Sequence, residues 1–191
     1  MITDYIYDIP SLMSKSDLES IFELATTLPE DSNILEIGCF LGSTTCTLKE
    51  ALPNSILHCV DIWQDEKHSK YLLGKDRHFV NEEITSNKYM WHQNTKHLQN
   101  IFTYQTSSLQ YQSDTKFDLI FLDGNHQYEN VISELVKFKQ YLKPNGILAG
   151  HDYGFEPTSK AIIKFANNNN LAVWTKNDNV WYYKPYMETP Q

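Results

Sequence analysis

Apolar and polar positions along the chain alternate between two periods. Short runs with both faces apolar occur at 33–38, 55–62, 101–106, 117–123 and 146–150, as expected of strands buried on both sides of a sheet. Between them lie stretches with helical spacing. Ser14 and Ser16 can cap a first helix reaching about residue 27, with Leu18, Ile21, Phe22 and Leu24 as its stripe and Pro29 beyond its end. A second runs over 43–52 up to the Pro53-Asn54 turn. A third covers 128–142 with Val131, Leu135, Phe138 and Leu142 on one face, and a fourth covers 158–167 with Ala161, Ile162 and Phe165. The C-terminal part reads as a hairpin: 171–175, a turn at 176–179, then 180–184. Strands alternating with helices predict a parallel sheet covered on both faces, and the hairpin predicts one antiparallel strand at its edge.

One connection is too long for this scheme. Residues 63–100 carry Trp63, Tyr71, His78, Phe79, Tyr89, Trp91 and His92. A helix is expected over 82–98, and the excursion 63–81 is either a lid over a pocket or a cover for the sheet edge. At the other end, Tyr5, Ile6, Tyr7 and Ile9 form an aromatic and apolar arm. It is either an interface for a second copy of the chain or a cover for the sheet. The whole, 1–191, reads as one domain with an N-terminal arm and helix (1–29) and an insertion (63–100).

The first strand runs into Gly38-Cys39-Phe40-Leu41-Gly42-Ser43-Thr44, and the second ends in Asp61. A glycine loop at one strand tip and an acid at the next make a nucleotide-binding geometry: glycine lets the backbone approach a ligand, and the acid can accept from both hydroxyls of a ribose. The two glycines are four apart with Phe40 between, which is not the G-x-G-x-x-G of dinucleotide binders.

Here the chain resembles a known family. Glu36-Ile37-Gly38-x-Phe40-x-Gly42-Ser43-Thr44 is similar to motif I of class I S-adenosylmethionine-dependent methyltransferases, the small-molecule O-methyltransferase branch in particular. The likeness continues at Asp61, at Phe117 to His126 and at Leu142 to Tyr153, and spans about 30–184 in order. It implies a Rossmann-like, doubly wound α/β sheet of about seven strands, mostly parallel with an antiparallel C-terminal hairpin strand. It also implies S-adenosylmethionine as cofactor. Glu36 would orient the loop or reach the methionine ammonium. Gly38, Phe40, Gly42, Ser43 and Thr44 would line the methionine, Asp61 would hold the ribose, and Ile62 and Trp63 would flank the adenine. Ser107 and Ser108 stand where the family places an adenine-side serine, though they can equally cap the next turn. Asp123 closes the fourth strand into the same crevice.

In the metal-dependent relatives, this Asp and two adjacent residues after strand five hold magnesium. Carried over, the set is Asp123, His151 and Asp152, in which the histidine is a departure that favours manganese, iron or zinc over magnesium, or means that His151 is not a ligand. The alternative is that the two carboxylates organise loops or bind substrate without metal. His126 falls where related enzymes place a basic residue. It is the first choice for general base, with His151 second, because imidazole titrates near neutrality. Asn125 is a candidate N-cap for the following helix.

Composition narrows the partners. The formal charge is −8 and Arg77 is the sole arginine, so a phosphate backbone is a poor fit as substrate. No apolar run is long enough to span a bilayer, and the first residues lack the pattern of a signal peptide. Three cysteines in or beside buried elements suit reduced core thiols and a cytoplasmic location. The expected activity is methyl transfer to a hydroxyl of a small molecule of sugar or secondary-metabolite type. A nucleotide-cofactor oxidoreductase, a hydroxylase-like relative and a non-catalytic cofactor-binding protein are the alternatives.

Overall fold

A computed structural model describes residues 2–63 and 87–184. They build one seven-stranded sheet in the order β3-β2-β1-β4-β5-β7-β6. The strands are β1 (Asn33–Ile37), β2 (Ile56–Asp61), β3 (Ile101–Gln105), β4 (Phe117–Leu122), β5 (Leu142–Gly150), β6 (Ala172–Lys176) and β7 (Val180–Lys184). The first five are mutually parallel, and β7 pairs antiparallel with both β5 and β6. The α/β sheet with its antiparallel C-terminal strand is thus as the sequence predicts, except that the antiparallel strand is not the edge: β7 lies between β5 and β6, and β6 forms the edge.

Period-two alternation divides the core. On β1 and β4, Leu35, Ile37, Ile120 and Leu122 face one side. There they meet Val131, Leu135 and Phe138 of α5 (Tyr128–Lys139) and Ala161, Ile162 and Phe165 of α6 (Glu156–Asn169). Ile34, Leu119 and Phe121 face the other side. They pack on Ile21 and Leu24 of α2 (Lys15–Ala25), Leu48 of α3 (Ser43–Ala51) and Trp91 of α4 (Asn87–Thr95). A full capping box starts α2: Ser14 Oγ accepts from the Asp17 N–H, and the Asp17 carboxylate accepts from the Ser14 N–H.

Several local expectations change. Leu142 fits the helical stripe of α5 by spacing, yet it opens β5. The helix stops at Lys139, before Pro144, and Leu142 pairs with Phe117 across a register shift in the sheet. Asn125 does not cap α5; Gln127 occupies that position, and Asn125 Oδ1 instead accepts from the Gln127 N–H at 2.8 Å. The N-terminal arm forms a short helix, α1 (Asp4–Asp8), whose buried Ile6 joins Ile2, Ile9, Leu18 and Cys46. It therefore covers α2 and α3, not the sheet. The hairpin turn holds Asn177 and Asp178 at φ 51° and 55°, the left-handed pair that such turns need. The expected excursion over 63–81, with Tyr71, His78 and Phe79, and the start of the helix expected over 82–98 fall outside the described residues, apart from Trp63. Among the described residues no helix is long and apolar enough to cross a membrane.

Candidate active site

The sheet order reverses between β1 and β4, which pair directly. The chain leaves β1 toward β2 and β4 toward β5, in opposite directions, so their carboxyl-end loops part and leave a crevice. A cleft of about 910 Å³ lies there, lined by the loops after β1, β2, β3, β4 and β5.

The loop after β1 is wound tightly. Gly38 has φ +84° and donates its N–H to Val60 O at 2.9 Å. A Cβ at Gly38 would stand 2.0 Å from Asp123 O, so only glycine permits β1 and β4 to meet at their tips. Phe40 (φ 45°) and Gly42 (φ 97°) are also left-handed, and Gly42 serves as N-cap of α3.

Asp61 is the tie that holds this loop to β2. Its Oδ2 accepts from the N–H groups of Cys39 (2.7 Å) and Phe40 (2.9 Å), and its Oδ1 from that of Trp63 (2.7 Å). A carboxylate has about four acceptor sites. Three are therefore taken by the backbone, which leaves capacity for about one further hydrogen bond from a ligand. Ile62 is 47% exposed and lines the cleft. Trp63 is 3% exposed, tilted against Trp91, and donates from Nε1 to Phe40 O at 3.1 Å. It also borders the cleft beside Ile62.

Glu36 is absent from the cleft wall. It is completely buried, with Oε2 accepting from Thr45 Oγ1 (2.7 Å) and Cys59 Sγ (3.6 Å), while Oε1 has no partner. Burial pushes its carboxyl up to about 8. Trp91 Nε1 in turn donates to Thr45 Oγ1 at 3.1 Å, so α4, α3 and β1 are joined beneath the loop. The cysteines are free and buried, and donor atoms of Glu36, Cys39 and Cys59 lie within 4.8 Å of one another.

Ser43 and Thr44 border the cleft but turn their hydroxyls toward the N-terminal segment: Ser43 Oγ lies 2.8 Å from Ser11 Oγ, and Thr44 Oγ1 3.3 Å from Met13 Sδ. Residues Ser11, Leu12 and Met13 thereby join the cleft wall, and nothing in their sequence signals it. Across the cleft, Thr106, Ser107 and Ser108 form the wall after β3. Ser107 Oγ accepts from the Gln110 N–H at 3.3 Å, as a turn cap would, whereas Ser108 Oγ donates to Glu134 Oε1 at 2.5 Å. Glu134 is 3% exposed, borders the cleft, and is pushed up to about 7 by burial. Its place in the helical pattern of α5 gives no hint of this.

The tips of β4 and β5 bring Asp123, His126 and Asp152 together, with one donor atom of each within 4.8 Å of the others. His126 Nε2 is 2.8 Å from Asp152 Oδ2 and 3.7 Å from Asp123 Oδ1. Nε2 is buried and makes no aligned hydrogen bond despite that closeness. Asp123 and Asp152 together hold the imidazolium up to about 10. Burial opposes ionisation of Asp152, but His126 and His151 outweigh it and hold its carboxyl well below the usual range. Burial raises Asp123. Asp152 reaches the cluster from a left-handed backbone, φ 60°.

His151 stands behind this group, 6% exposed. Its Nδ1 is 3.4 Å from Asp152 Oδ1 and 3.8 Å from Asp123 Oδ1, and its Nε2 is 2.7 Å from Asn179 Nδ2 and 3.4 Å from Asp17 Oδ2. Of the histidines named from sequence, the cluster of mutually close donors includes His126, and His151 buttresses it.

A family model described as a methyltransferase domain matches residues 35–153. The chain belongs to this methyltransferase family. The strand-tip loops after β1 and β2 fall within the matched stretch, as does the Asp123–His126–Asp152 cluster, whereas Ser11, Leu12, Met13 and Phe155 of the cleft wall lie outside it. Solved structures share the fold at low identity. The S-adenosylhomocysteine-bound methyltransferase PaMTH1 of Podospora anserina is 12% identical with TM-score 0.66, over 96% of this chain and 88% of its own. The O-methyltransferase NovP is 14% identical with TM-score 0.65, over 92% and 81%. An O-methyltransferase of Bacillus cereus, solved with S-adenosylhomocysteine, is 15% identical with TM-score 0.61, over 95% and 86%. Curated protein sequences give no match. By family and fold the chain is an S-adenosylmethionine-dependent methyltransferase.

Proposed function

We propose that this methyltransferase acts on a hydroxyl of a small molecule, of sugar or secondary-metabolite type, at the Asp123–His126–Asp152 cluster. The observation that carries the reading is a histidine held between two carboxylates in the same cleft as the glycine loop. The negative formal charge and single arginine support a small acceptor over a nucleic acid.

Gly38, Phe40, Gly42, Ser43 and Thr44 would cradle the methionine, Asp61 one ribose hydroxyl, and Ile62 with Ser107 and Ser108 the adenine. In the reaction the acceptor oxygen attacks the sulfonium methyl group, the S–CH₃ bond breaks as the O–CH₃ bond forms, and S-adenosylhomocysteine leaves. The hydroxyl proton would go to Nε2 of the neutral form of His126, and because Asp123 and Asp152 raise its pKa to about 10, turnover should rise with pH toward that value. Asp152 Oδ2 and Asp123 Oδ1 face that nitrogen and stabilise the imidazolium that results. Most of the acceleration would come from alignment in a cleft closed to water.

The donor set also fits a divalent cation. His126 Nε2 and Asp152 Oδ2 converge without forming a hydrogen bond, as two donors to one shared ion would. Asp123, His126 and Asp152 would hold it, and the imidazole nitrogen favours manganese over magnesium. Such an ion supplies a Lewis acid that lowers the pKa of an acceptor hydroxyl.

Calorimetric titration with S-adenosylmethionine and S-adenosylhomocysteine, with EDTA and then with magnesium or manganese, tests the reading. We expect micromolar cofactor binding and a manganese heat that disappears in Asp152→Asn. An acceptor screen with hydroxylated compounds follows. Absence of cofactor binding overturns the proposal, and methylation confined to amines overturns the hydroxyl assignment.

A further inference from the structure

Glu36, Cys39 and Cys59 form a cluster that the methyl-transfer chemistry does not use. Donor atoms of the three lie within 4.8 Å of one another. Cys39 is 3% exposed and the other two not at all. Their sequence positions have none of the close cysteine spacing of a zinc motif. The sheet assembles them instead. Register between β1 and β2 sets Glu36 beside Cys59. The loop after β1 is then pinned to β2, with Gly38 donating its N–H to Val60 O and Cys39 its N–H to Asp61 Oδ2. That turn brings the Cys39 thiol to the other two.

Two observations separate this cluster from ordinary core. The first is an orphaned acceptor: Glu36 Oε1 is buried and, among the described residues, has no hydrogen-bond partner. A buried acceptor without a donor is costly, and a cation is a partner that removes the cost. The second is spacing. An ion about 2.3 Å from sulfur and about 2.1 Å from a carboxylate oxygen, with a tetrahedral angle between them, sets the two donors roughly 3.6 Å apart. Cys59 Sγ and Glu36 Oε2 are 3.6 Å apart. Cys39 Sγ has only long contacts, to Glu36 O (3.9 Å) and Val60 O (3.7 Å), which it can exchange for a metal–sulfur bond.

We propose that Glu36, Cys39 and Cys59 bind a divalent cation of the zinc class beneath the glycine loop, through two thiolates and a carboxylate oxygen, and that the ion cross-links this loop to β1 and β2. Two sulfurs select a thiophilic ion over magnesium or calcium. Burial keeps the protons on these groups, pushing Glu36 up to about 8 and Cys59 to about 11, so an entering ion displaces them to solvent and binding strengthens as pH rises. Cys39 borders the cleft, which provides the path. The site is separate from the Asp123–His126–Asp152 cluster, which offers no sulfur. Cys46 stands outside it, with its Sγ 3.7 Å from Asn94 O.

The experiment is titration of the full, reduced chain with cobalt(II), a spectroscopic stand-in for zinc, at about pH 8. A thiolate-to-cobalt charge-transfer band reports sulfur ligation, which the carboxylate–histidine cluster cannot produce. The band should saturate near about one equivalent and disappear when zinc is added. Cys39→Ala, Cys59→Ala and the shape-conserving Glu36→Gln should each weaken cobalt binding at least about tenfold. Cys46→Ala and Asp152→Asn should leave the band in place. In the Asp152→Asn background, which removes a donor from the other cluster, zinc should raise the melting temperature by at least about 3 °C. Absence of the band from wild-type protein overturns the proposal, as does a band lost in Cys46→Ala or retained in both Cys39→Ala and Cys59→Ala. Full affinity in Glu36→Gln overturns the three-donor set, and an unshifted melt overturns the cross-link. Circular dichroism checks the fold of each variant; should the cysteine variants unfold, the wild-type band and its weakening in Glu36→Gln decide.

Discussion

Replacing Glu36 with glutamine should change how stability depends on pH. Glu36 sits on β1 with no exposure, and its Oε1 meets no partner. Burial raises its carboxyl from 4.5 to about 8. In the unfolded chain the group ionises near its ordinary value, whereas the folded protein keeps the proton until about 8. Between these values the folded state binds one more proton than the unfolded state. Stability from this group is therefore fully present below pH 4.5, falls as pH rises, and is lost above about 8. The slope is about 1.4 kcal/mol per pH unit where the two states differ by a full proton. Glutamine cannot ionise and still offers an oxygen to Thr45. Relative to wild type, Glu36→Gln should thus gain roughly 3 kcal/mol between pH 5 and 7.5. Other groups that titrate in this range do so in both proteins and largely cancel in the difference. Urea unfolding at half-unit steps of pH, with m-values compared, provides the measurement. Parallel stability curves for the two proteins from pH 5 to 8 would refute the reasoning, because they would mean that Glu36 is ionised in the folded state.

Three further substitutions probe the strand-tip loops. Gly38→Ala forces a Cβ to 2.0 Å from Asp123 O at φ +84°, and should cost more than about 2 kcal/mol and abolish S-adenosylhomocysteine binding. Gly154→Ala, where a Cβ meets only Asn179 Oδ1 at 3.5 Å, should cost less than about 1 kcal/mol; similar losses in thermal melts of the two would contradict the close-approach argument. Asp61→Asn replaces one backbone-facing oxygen with an amide N–H. It should lower stability by about 1–3 kcal/mol and weaken cofactor binding at least about tenfold, and an unchanged titration would remove Asp61 from the site.

Much of this architecture is legible in the chain because β1 and β4 are apolar on both faces and the intervening helices carry one apolar stripe each. The hairpin was legible from the polar run Lys176 to Asn179 between two alternating segments. Errors arose where local pattern and tertiary demand diverge. Leu142 continues the spacing of Leu135 and Phe138, but pairing with Phe117 wins it for β5. The five residues of α1 are too few to carry a period, and their packing against α3 is what makes them a helix. Glu134 reads as an ordinary polar position, since nothing in a helical wheel reveals a hydroxyl waiting in the loop after β3.

The candidate site divides along the same line. The sequence determined that a glycine loop, an acid after β2, and acids and histidines after β4 and β5 stand at strand tips, because strand ends and turn residues are local properties. Only the tertiary structure decided which of them meet. Strand order sets Asp123 beside Asp152, and the left-handed turn at Asp152 aims its carboxylate at His126. Packing against Asn179 and Asp17 keeps His151 behind them. Asp61 reads as an open acceptor in the sequence, and only the folded loop after β1 shows that three backbone N–H groups donate to it. Distances between side chains on different strands depend on sheet order, turn handedness and burial, none of which any single segment encodes.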